Sequence, residues 1–193
     1  MAGAAEWDAR FRQGYHTDTV PDPFLVGAQE YLDLLPPEGS ALDLACGAGR
    51  HAIWLAQRGL RVTAADISPE ALAKTRLFAK ERAVPVQCRQ MDLESADLEL
   101  ESVSFDLILG VFFLHRPLFP RLLEALKPGG LLLYKTYTTD QLQYPGRPRH
   151  PMHLLEPNEL LRMVDGLRVW RYEECSQGRG TAAVIAQKPG VRS

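Results

Sequence analysis

A glycine turn between a buried strand and a helix constrains this chain more than any other feature. In segment 42–50, LDLACGAGR, an apolar run ends, and Gly47 and Gly49 precede a helical pattern that begins at about Arg50. Glycines let the backbone approach a ligand without a Cβ in the way, and N–H groups at a helix start favour an anionic group. Asp66 ends the next apolar run, where a carboxylate can accept both hydroxyls of a ribose. The sequence therefore predicts a cofactor with a ribose at this turn.

Apolar runs alternate with helical patterns from residue 40 to residue 134, which predicts parallel βαβ units. The predicted strands cover 41–45, 60–65, 85–88, 105–111 and 131–135. Predicted helices cover 50–58 and 69–82, and a third ends at Leu126. The second of these has Ser68 as its N-cap and Pro69 at its first position. Two further runs, 167–173 and 181–187, are joined by a loop so short that they must be antiparallel neighbours. We predict an α/β, Rossmann-like, doubly wound fold with a seven-stranded, mostly parallel sheet ending in an antiparallel hairpin, in one domain over 1–193.

Composition narrows the classes of partner. The 193 residues include 22 basic and 24 acidic side chains, so the net charge of −2 gives no reason to expect nucleic acid. No apolar run is long enough to span a membrane, and the N-terminus lacks the apolar region of a signal peptide. The three widely spaced cysteines predict reduced thiols in a cytoplasmic protein and no metal site. The composition sets no oligomeric state.

The glycine turn fits two kinds of cofactor. Gly47, Gly49 and Ala52 match the dinucleotide fingerprint. Asp43, however, places a carboxylate inside the first strand, where it would repel a pyrophosphate but attract the amino group of a methionine moiety. Asp92 follows the third predicted strand, where an adenine edge could be read. No separate catalytic domain follows, so the pattern favours a methionine-containing cofactor.

In these residues the chain resembles the class I S-adenosylmethionine-dependent methyltransferases. The matching pieces are 42–49, Asp66, Asp92, 105–108 and 126–130. Within that class it is similar to the tellurite-resistance-type methyltransferases, through Tyr15 with 23–25, 46–50, 66–69 and 113–116. The resemblance implies S-adenosyl-L-methionine as the cofactor and a small molecule as the methyl acceptor.

The resemblance also implies which residues bind the cofactor. Ala45, Cys46 and Gly47 would line the methionine end, although the class usually has glycine at the position of Ala45. The ribose and adenine would meet Asp66 and Ile67, the adenine would meet Asp92 and Leu93, and the sulfonium would lie over Gly110 and Val111. Gly49 and Met91, beside these segments, complete the predicted site. Cys46 is interpreted as a packed residue rather than a nucleophile.

The methyl acceptor is less constrained. A thiolate or a reduced chalcogen oxyanion would need little base, whereas an alcohol or amine would need one. His115, after the fourth predicted strand, is the first candidate catalytic residue, and His16 and Tyr137 are further candidate bases. The basic loop 137–156 is a candidate acceptor wall or lid. The N-terminal segment 1–35 either docks as a helix or covers the cofactor, in which case Tyr15 lies near the sulfonium, as a second candidate catalytic residue.

Three other functions remain open at this point. A nicotinamide-dependent oxidoreductase is disfavoured by Asp43 and by the missing catalytic domain. A cofactor-binding regulator without turnover is compatible with every motif above. A nucleic-acid methyltransferase is disfavoured by the net charge and by the sequence at 110–113, which reads GVFF rather than Asn/Asp-Pro-Pro-aromatic.

Overall fold

The computed structural model describes residues 3–14, 18–146 and 148–190. It contains two compact units, Met1–Leu98 and Glu99–Ser193. Each unit contains strands and helices with buried apolar residues.

The first unit has three parallel strands, β1 (Ser40–Leu44), β2 (Arg61–Asp66) and β3 (Val86–Gln90). Its helices are α1 (Ala4–Arg12), α2 (Pro23–Val26), α3 (Gln29–Leu32), α4 (Arg50–Ala56) and α5 (Pro69–Glu81). Four of the five β1 residues are buried, as expected for a strand covered on both faces. The turns that contain Gly47 and Asp66 therefore follow strands that are held rigidly by packing.

Helix α5 begins as the sequence predicts. Pro69 occupies its first turn, and Ser68 Oγ accepts the Ala71 N–H at 3.1 Å. Helix α1 packs on α5, where Asp8 Oδ1 accepts the Ser68 hydroxyl at 2.5 Å and the Glu70 N–H at 3.2 Å. Helix α1, the first part of the N-terminal segment, is thus docked on α5.

The second unit has strands β4 (Phe105–Val111), β5 (Leu126–Tyr137), β6 (Arg168–Cys175) and β7 (Thr181–Gln187). Its helices are α6 (Phe119–Ala125), α7 (Glu159–Met163) and three 3-10 turns at Arg116–Leu118, Thr139–Gln143 and Pro151–His153. Strands β4 and β5 are parallel, whereas β7 is antiparallel to both β5 and β6. The predicted terminal hairpin is confirmed.

Strand β5 begins earlier than the predicted 131. Pairing jumps from Phe105 opposite Leu126 to Leu107 opposite Leu131, so residues 127–130 form a bulge within the strand. Its backbone is paired, because Gly129 N–H donates to the Lys188 carbonyl and Lys188 N–H donates to Gly130, both at 2.9 Å. The Pro-Gly-Gly sequence bends the strand instead of preceding it.

The seven strands follow the order β3-β2-β1-β4-β5-β7-β6 in one mixed sheet. This order confirms the predicted Rossmann-like fold, with β1, β2 and β3 parallel in the first unit, and with β4 parallel and β7 antiparallel to β5 in the second. None of the helices in the described ranges has the length and apolar character needed to cross a bilayer.

Candidate functional site

Asp66 organises the glycine turn at the carboxyl end of β2. Its Oδ2 accepts the Gly47 N–H and its Oδ1 accepts the Ser68 N–H, both at 2.9 Å, and its backbone carbonyl accepts the Met91 N–H at 2.9 Å. The residue is only 7% exposed, and burial raises the pKa of its carboxyl against the opposing effect of these N–H groups. A carboxylate has about four lone-pair sites, so each oxygen can still accept a ligand hydroxyl.

Asp43, in β1, is a buried carboxylate with an unsatisfied oxygen. It is 1% exposed, and Oδ2 has no hydrogen-bond partner. The pKa of its carboxyl is raised to about 7, chiefly by burial and to a smaller extent by the charge of Asp66, while a backbone hydrogen bond from Ala52 and the charge of Arg50 oppose the shift. A buried polar atom without a partner is costly. The arrangement therefore fits a cationic group, bound directly or through water, at this end of β1.

The turn between β1 and α4 uses the left-handed backbone region three times. Gly47 has φ of 58° and Gly49 has φ of 82°, which glycine adopts without a steric penalty, whereas Ala45 has φ of 50°. The alanine conformation costs about 1–2 kcal/mol, which explains why glycine suits this position. A Cβ at Gly47 would lie 3.5 Å from Phe11 Cζ, so α1 packs against the turn.

Thr75, on α5, is a site residue that the sequence analysis missed. Its hydroxyl is within 3.0 Å of the Gly47 carbonyl and 3.2 Å of the Ala71 carbonyl, and its side chain is fully buried. A Cβ at Gly49 would lie 2.5 Å from Thr75 Cγ2. Gly49 is therefore needed for packing against α5 as well as for its φ angle.

The Gly49→Ala substitution is expected to lower the free energy of unfolding by about 3 kcal/mol, because it combines a left-handed alanine with overpacking against Thr75. The matched control is Gly59→Ala, where φ is 85° but nothing lies within 4 Å of the new Cβ. That control should cost only about 1 kcal/mol. Urea unfolding of both variants measures the difference, and equal losses would contradict the packing role of Thr75.

Cys46, inside the turn, is buried and its thiol is protonated. Burial raises the pKa of the Cys46 thiol well above its usual range, and the neighbouring Asp43 and Asp66 charges add to that shift. A protonated thiol is a poor nucleophile. The structure therefore agrees with the interpretation of Cys46 as a packed residue.

The residues predicted to lie near adenine follow β2 and β3. Ile67 is half-buried after β2, Met91 is half-buried, and Leu93 is 4% exposed. Asp92 is exposed, and its Oδ1 accepts the Glu94 N–H at 3.0 Å, which stabilises the local turn. The second Asp92 oxygen is not used by this bond. Tyr15 and His16 lie outside the described residues.

Gly110 and Val111 end strand β4 in the second unit, and Gly110 has a packing reason to be glycine. A Cβ there would lie 2.4 Å from Tyr134 Cε2, and the buried Tyr134 donates its hydroxyl to the Phe113 carbonyl at 2.8 Å. Phe112, the next residue, has φ of 60°, which is rare for a bulky side chain and costs about 1–2 kcal/mol. Strain of this kind clusters at functional sites.

His115 is the N-cap of the 3-10 turn after β4, and its neighbour Arg116 connects this turn to other elements. The Arg116 guanidinium forms a two-pronged pair with Glu159, at 2.5 and 2.9 Å. It also donates to the backbone carbonyls of Met152 at 2.9 Å and Leu154 at 2.7 Å. Arg116 thus attaches part of the 137–156 loop to the end of β4, close in sequence to His115.

The Arg116→Gln substitution is expected to destabilise the second unit by about 2 kcal/mol, because bonds to charged groups are stronger than neutral ones. The matched control, Arg171→Gln, removes a pair with Glu173 in which both side chains are well exposed. It should cost less than about 0.5 kcal/mol. Amide hydrogen exchange should rise in residues 152–155 only in the first variant, and unchanged exchange there would contradict the attachment.

The remaining basic side chains of the loop are partly engaged within it. Arg149 donates to the carbonyls of Tyr144 at 3.1 Å and Leu142 at 3.2 Å. His150 and His153 lie with ring centroids 6.1 Å apart, and burial, followed by the charge of His150, lowers the pKa of His153. Arg147 lies outside the described residues. No cluster of metal-binding side chains occurs within the described ranges.

The first unit thus places a glycine turn beside two buried carboxylates, Asp43 and Asp66, and known proteins resemble this chain in sequence and in fold. Residues 41–130 match the family described as a methyltransferase domain. The chain is 27% identical over 147 residues to the ubiquinone biosynthesis O-methyltransferase of Idiomarina loihiensis, a match that covers 64% of this chain and 58% of that protein. The chain spans about half the length of the curated relatives it matches.

Solved structures extend the likeness of fold. A structure solved for the conversion of a disulfide bond into a thioacetal group during echinomycin biosynthesis has a TM-score of 0.72 at 17% identity, covering 98% of this chain and 93% of that one. TehB from Haemophilus influenzae has a TM-score of 0.71 at 19% identity, covering 94% of this chain and 67% of that one. Residues 41–130 therefore match a methyltransferase domain, in agreement with the predicted resemblance, and the solved structures share the fold of this chain.

Proposed function

We propose that this protein transfers the methyl group of S-adenosylmethionine to a small-molecule acceptor. The observation that carries the proposal is the buried Asp66 carboxylate, which is bonded to the Gly47 turn and retains acceptor capacity on both oxygens. Asp43, with its unsatisfied oxygen, supplies a site for the cofactor's ammonium group. A dinucleotide would instead place a pyrophosphate beside this carboxylate.

The proposed roles follow from these positions. Asp66 accepts the ribose hydroxyls, and Asp43 stabilises the ammonium group. Apolar contacts to adenine come from Ile67, Met91 and Leu93, with Asp92 at its edge. The methionine end of the cofactor lies close to the backbone of Ala45, Cys46, Gly47 and Gly49. The sulfonium lies over Gly110 and Val111.

When bound, the cofactor supplies a methyl group whose bond to sulfur breaks, with the electron pair left on sulfur, as the acceptor's lone pair forms the new bond. Because the sulfonium is already a good leaving group, the protein chiefly aligns the acceptor and excludes water. A thiolate or reduced chalcogen oxyanion needs little base. A hydroxyl acceptor, as the name of the Idiomarina relative suggests, needs one, for which we propose His115 or Tyr137. We keep a role for Tyr15 at the sulfonium as part of the same proposal.

We also propose where the protein is located and which kind of acceptor its loop binds. The three cysteines are free thiols, which supports a reducing, cytoplasmic location. The acceptor loop 137–156 is proposed to close on a small molecule rather than on nucleic acid, in keeping with the net charge of −2.

The experiment is a methyl-transfer assay with methyl-labelled S-adenosylmethionine and a panel of thiols, chalcogen oxyanions and phenols. Label should enter at least one acceptor class in the wild type and be lost in Asp66→Ala. Tight cofactor binding without transfer to any acceptor would favour a regulator that binds the cofactor. Binding of a nicotinamide cofactor instead would overturn the proposal.

A further inference from the structure

In the second unit, two cations from different elements lie close to the ring of Phe112, whose backbone is in the left-handed region. Lys135 Nζ lies 5.5 Å from the centroid of the Phe112 ring, and Arg179 Cζ lies 5.9 Å from the same centroid. Lys135 is on β5, whereas Arg179 is in the loop between β6 and β7. Both distances are within the range of cation–π attraction. A charged and aromatic cluster is thus built by residues far apart in the sequence.

The aromatic part of this cluster is held firmly. Phe112 N–H donates to the Lys135 carbonyl at 2.8 Å, which fixes its left-handed backbone at the end of β4. Its ring stacks on Tyr137 with centroids 4.8 Å apart and planes at 25°. Both rings are only half-buried, so part of each remains open to a ligand.

The position of Arg179 is fixed through its neighbour Gly180. Thr138 N–H donates to the Gly180 carbonyl at 3.0 Å, and Gly180 N–H donates to Gln141 Oε1 at 3.3 Å. A Cβ at Gly180 would lie 2.1 Å from the backbone nitrogen of Gln141, so the loop packs closely against the segment after β5. Arg179 forms no ion pair with any residue in the described ranges.

The cluster lies at the carboxyl ends of the parallel strands β4 and β5, where open α/β sheets bind ligands. We propose that Phe112, Tyr137, Lys135 and Arg179 bind a planar acceptor that carries an acidic group, such as an aromatic carboxylate. The rings contact the face or edge of the acceptor. The two cations bind its carboxylate, for which the arginine fork is well shaped. This inference rests on the proposed function for the identity of the ligand as the methyl acceptor.

A matched pair of ligands tests the charge requirement. The probes are 3,4-dihydroxybenzoate and catechol, which share a ring and two hydroxyls and differ in the carboxylate. Their binding to the full chain is measured by ligand-observed NMR, with and without S-adenosylhomocysteine. The wild type should bind dihydroxybenzoate about tenfold more tightly than catechol, a difference of ~1.4 kcal/mol.

The variants test which residues supply the charge. Arg179→Gln and Lys135→Gln should each weaken dihydroxybenzoate binding several-fold and leave catechol binding unchanged. The control is Arg168→Gln, which alters another arginine of this unit that lies over an aromatic ring, 3.9 Å from the Trp170 centroid. This substitution should change the binding affinity of neither ligand. Absent binding, equal affinity for the two ligands, or equal weakening of both by the variants would overturn the inference.

The same experiments separate this inference from the proposed function. Titration with S-adenosylhomocysteine reports cofactor binding independently of the cluster, and Arg179→Gln should leave it unchanged. Methyl transfer to neutral acceptors only would overturn the inference and support the proposed function. Carboxylate binding that depends on Arg179 in a protein without cofactor binding would support the binding site and overturn the proposed function.

Discussion

Replacing Asp66 by alanine is expected to weaken S-adenosylhomocysteine binding by about a hundredfold, because hydrogen bonds to a charged group contribute roughly 1.5–3 kcal/mol each. The substitution removes the acceptors proposed for the ribose hydroxyls. It also releases the Gly47 and Ser68 N–H groups that the carboxylate now binds. The loss therefore combines a missing ligand contact with a less rigid glycine turn.

Calorimetric titration measures this loss, and two comparisons make it interpretable. Asp97→Ala removes an exposed carboxylate outside the site and should bind like the wild type. Thermal unfolding of Asp66→Ala without ligand reports how much of the effect comes from the fold. Affinity within about twofold of the wild type, in a folded variant, would contradict the role of Asp66.

The Asp43→Asn substitution is expected to change how stability depends on pH. Folding raises the Asp43 pKa from 3.8 to about 7. The folded protein therefore favours the protonated carboxyl, so the stability that this group contributes is present below pH 4. That contribution is lost as the pH rises from 4 through 7, by about 4 kcal/mol in all.

Urea unfolding at several pH values measures this effect. The asparagine variant cannot ionise at this position, so the stability of the wild type relative to the variant should fall between pH 4 and pH 7 and level off above. Asp97→Asn, at an exposed site, should track the wild type throughout. A constant difference between wild type and Asp43→Asn would mean that Asp43 titrates normally.

Cofactor binding should also depend on the ionisation of Asp43, but with the opposite sign. The proposed ammonium group favours ionised Asp43, so binding below pH 7 should release a proton, and wild-type affinity should fall as the pH is lowered from 7 to 5. The raised pKa of Asp66 adds its own dependence. The comparison with Asp43→Asn isolates the part that belongs to Asp43, because Asp66 is present in both proteins.

Local patterns predicted much of the fold. The Ser68-Pro69 cap, the buried run of β4 and the short loop before β7 each depend on neighbouring residues, and the structure confirms all three. Residues 127–130 were predicted to lie outside the strand, because Pro-Gly-Gly marks turns in general. Here their backbone pairs with Lys188, which no local pattern reveals.

Long-range contacts account for what the sequence analysis missed at the site. Thr75 packs against Gly49, and Arg116 binds Glu159 across 43 residues, although each residue has an ordinary sequence context. The left-handed backbone of Phe112 could not be predicted for the same reason, since its conformation depends on contacts with Lys135 and Tyr137. By contrast, the pairing of Asp66 with Gly47 could be anticipated, because Asp66 ends β2 and Gly47 lies in the turn after the neighbouring parallel strand β1.

The most direct test of the central claim is calorimetric titration of the wild-type protein with S-adenosylhomocysteine. We expect one molecule to bind per chain with a Kd on the order of micromolar, accompanied by proton release below pH 7. No heat and no thermal stabilisation, in protein shown to be folded, would contradict the assignment of the Asp43 and Asp66 turn as an S-adenosylmethionine site.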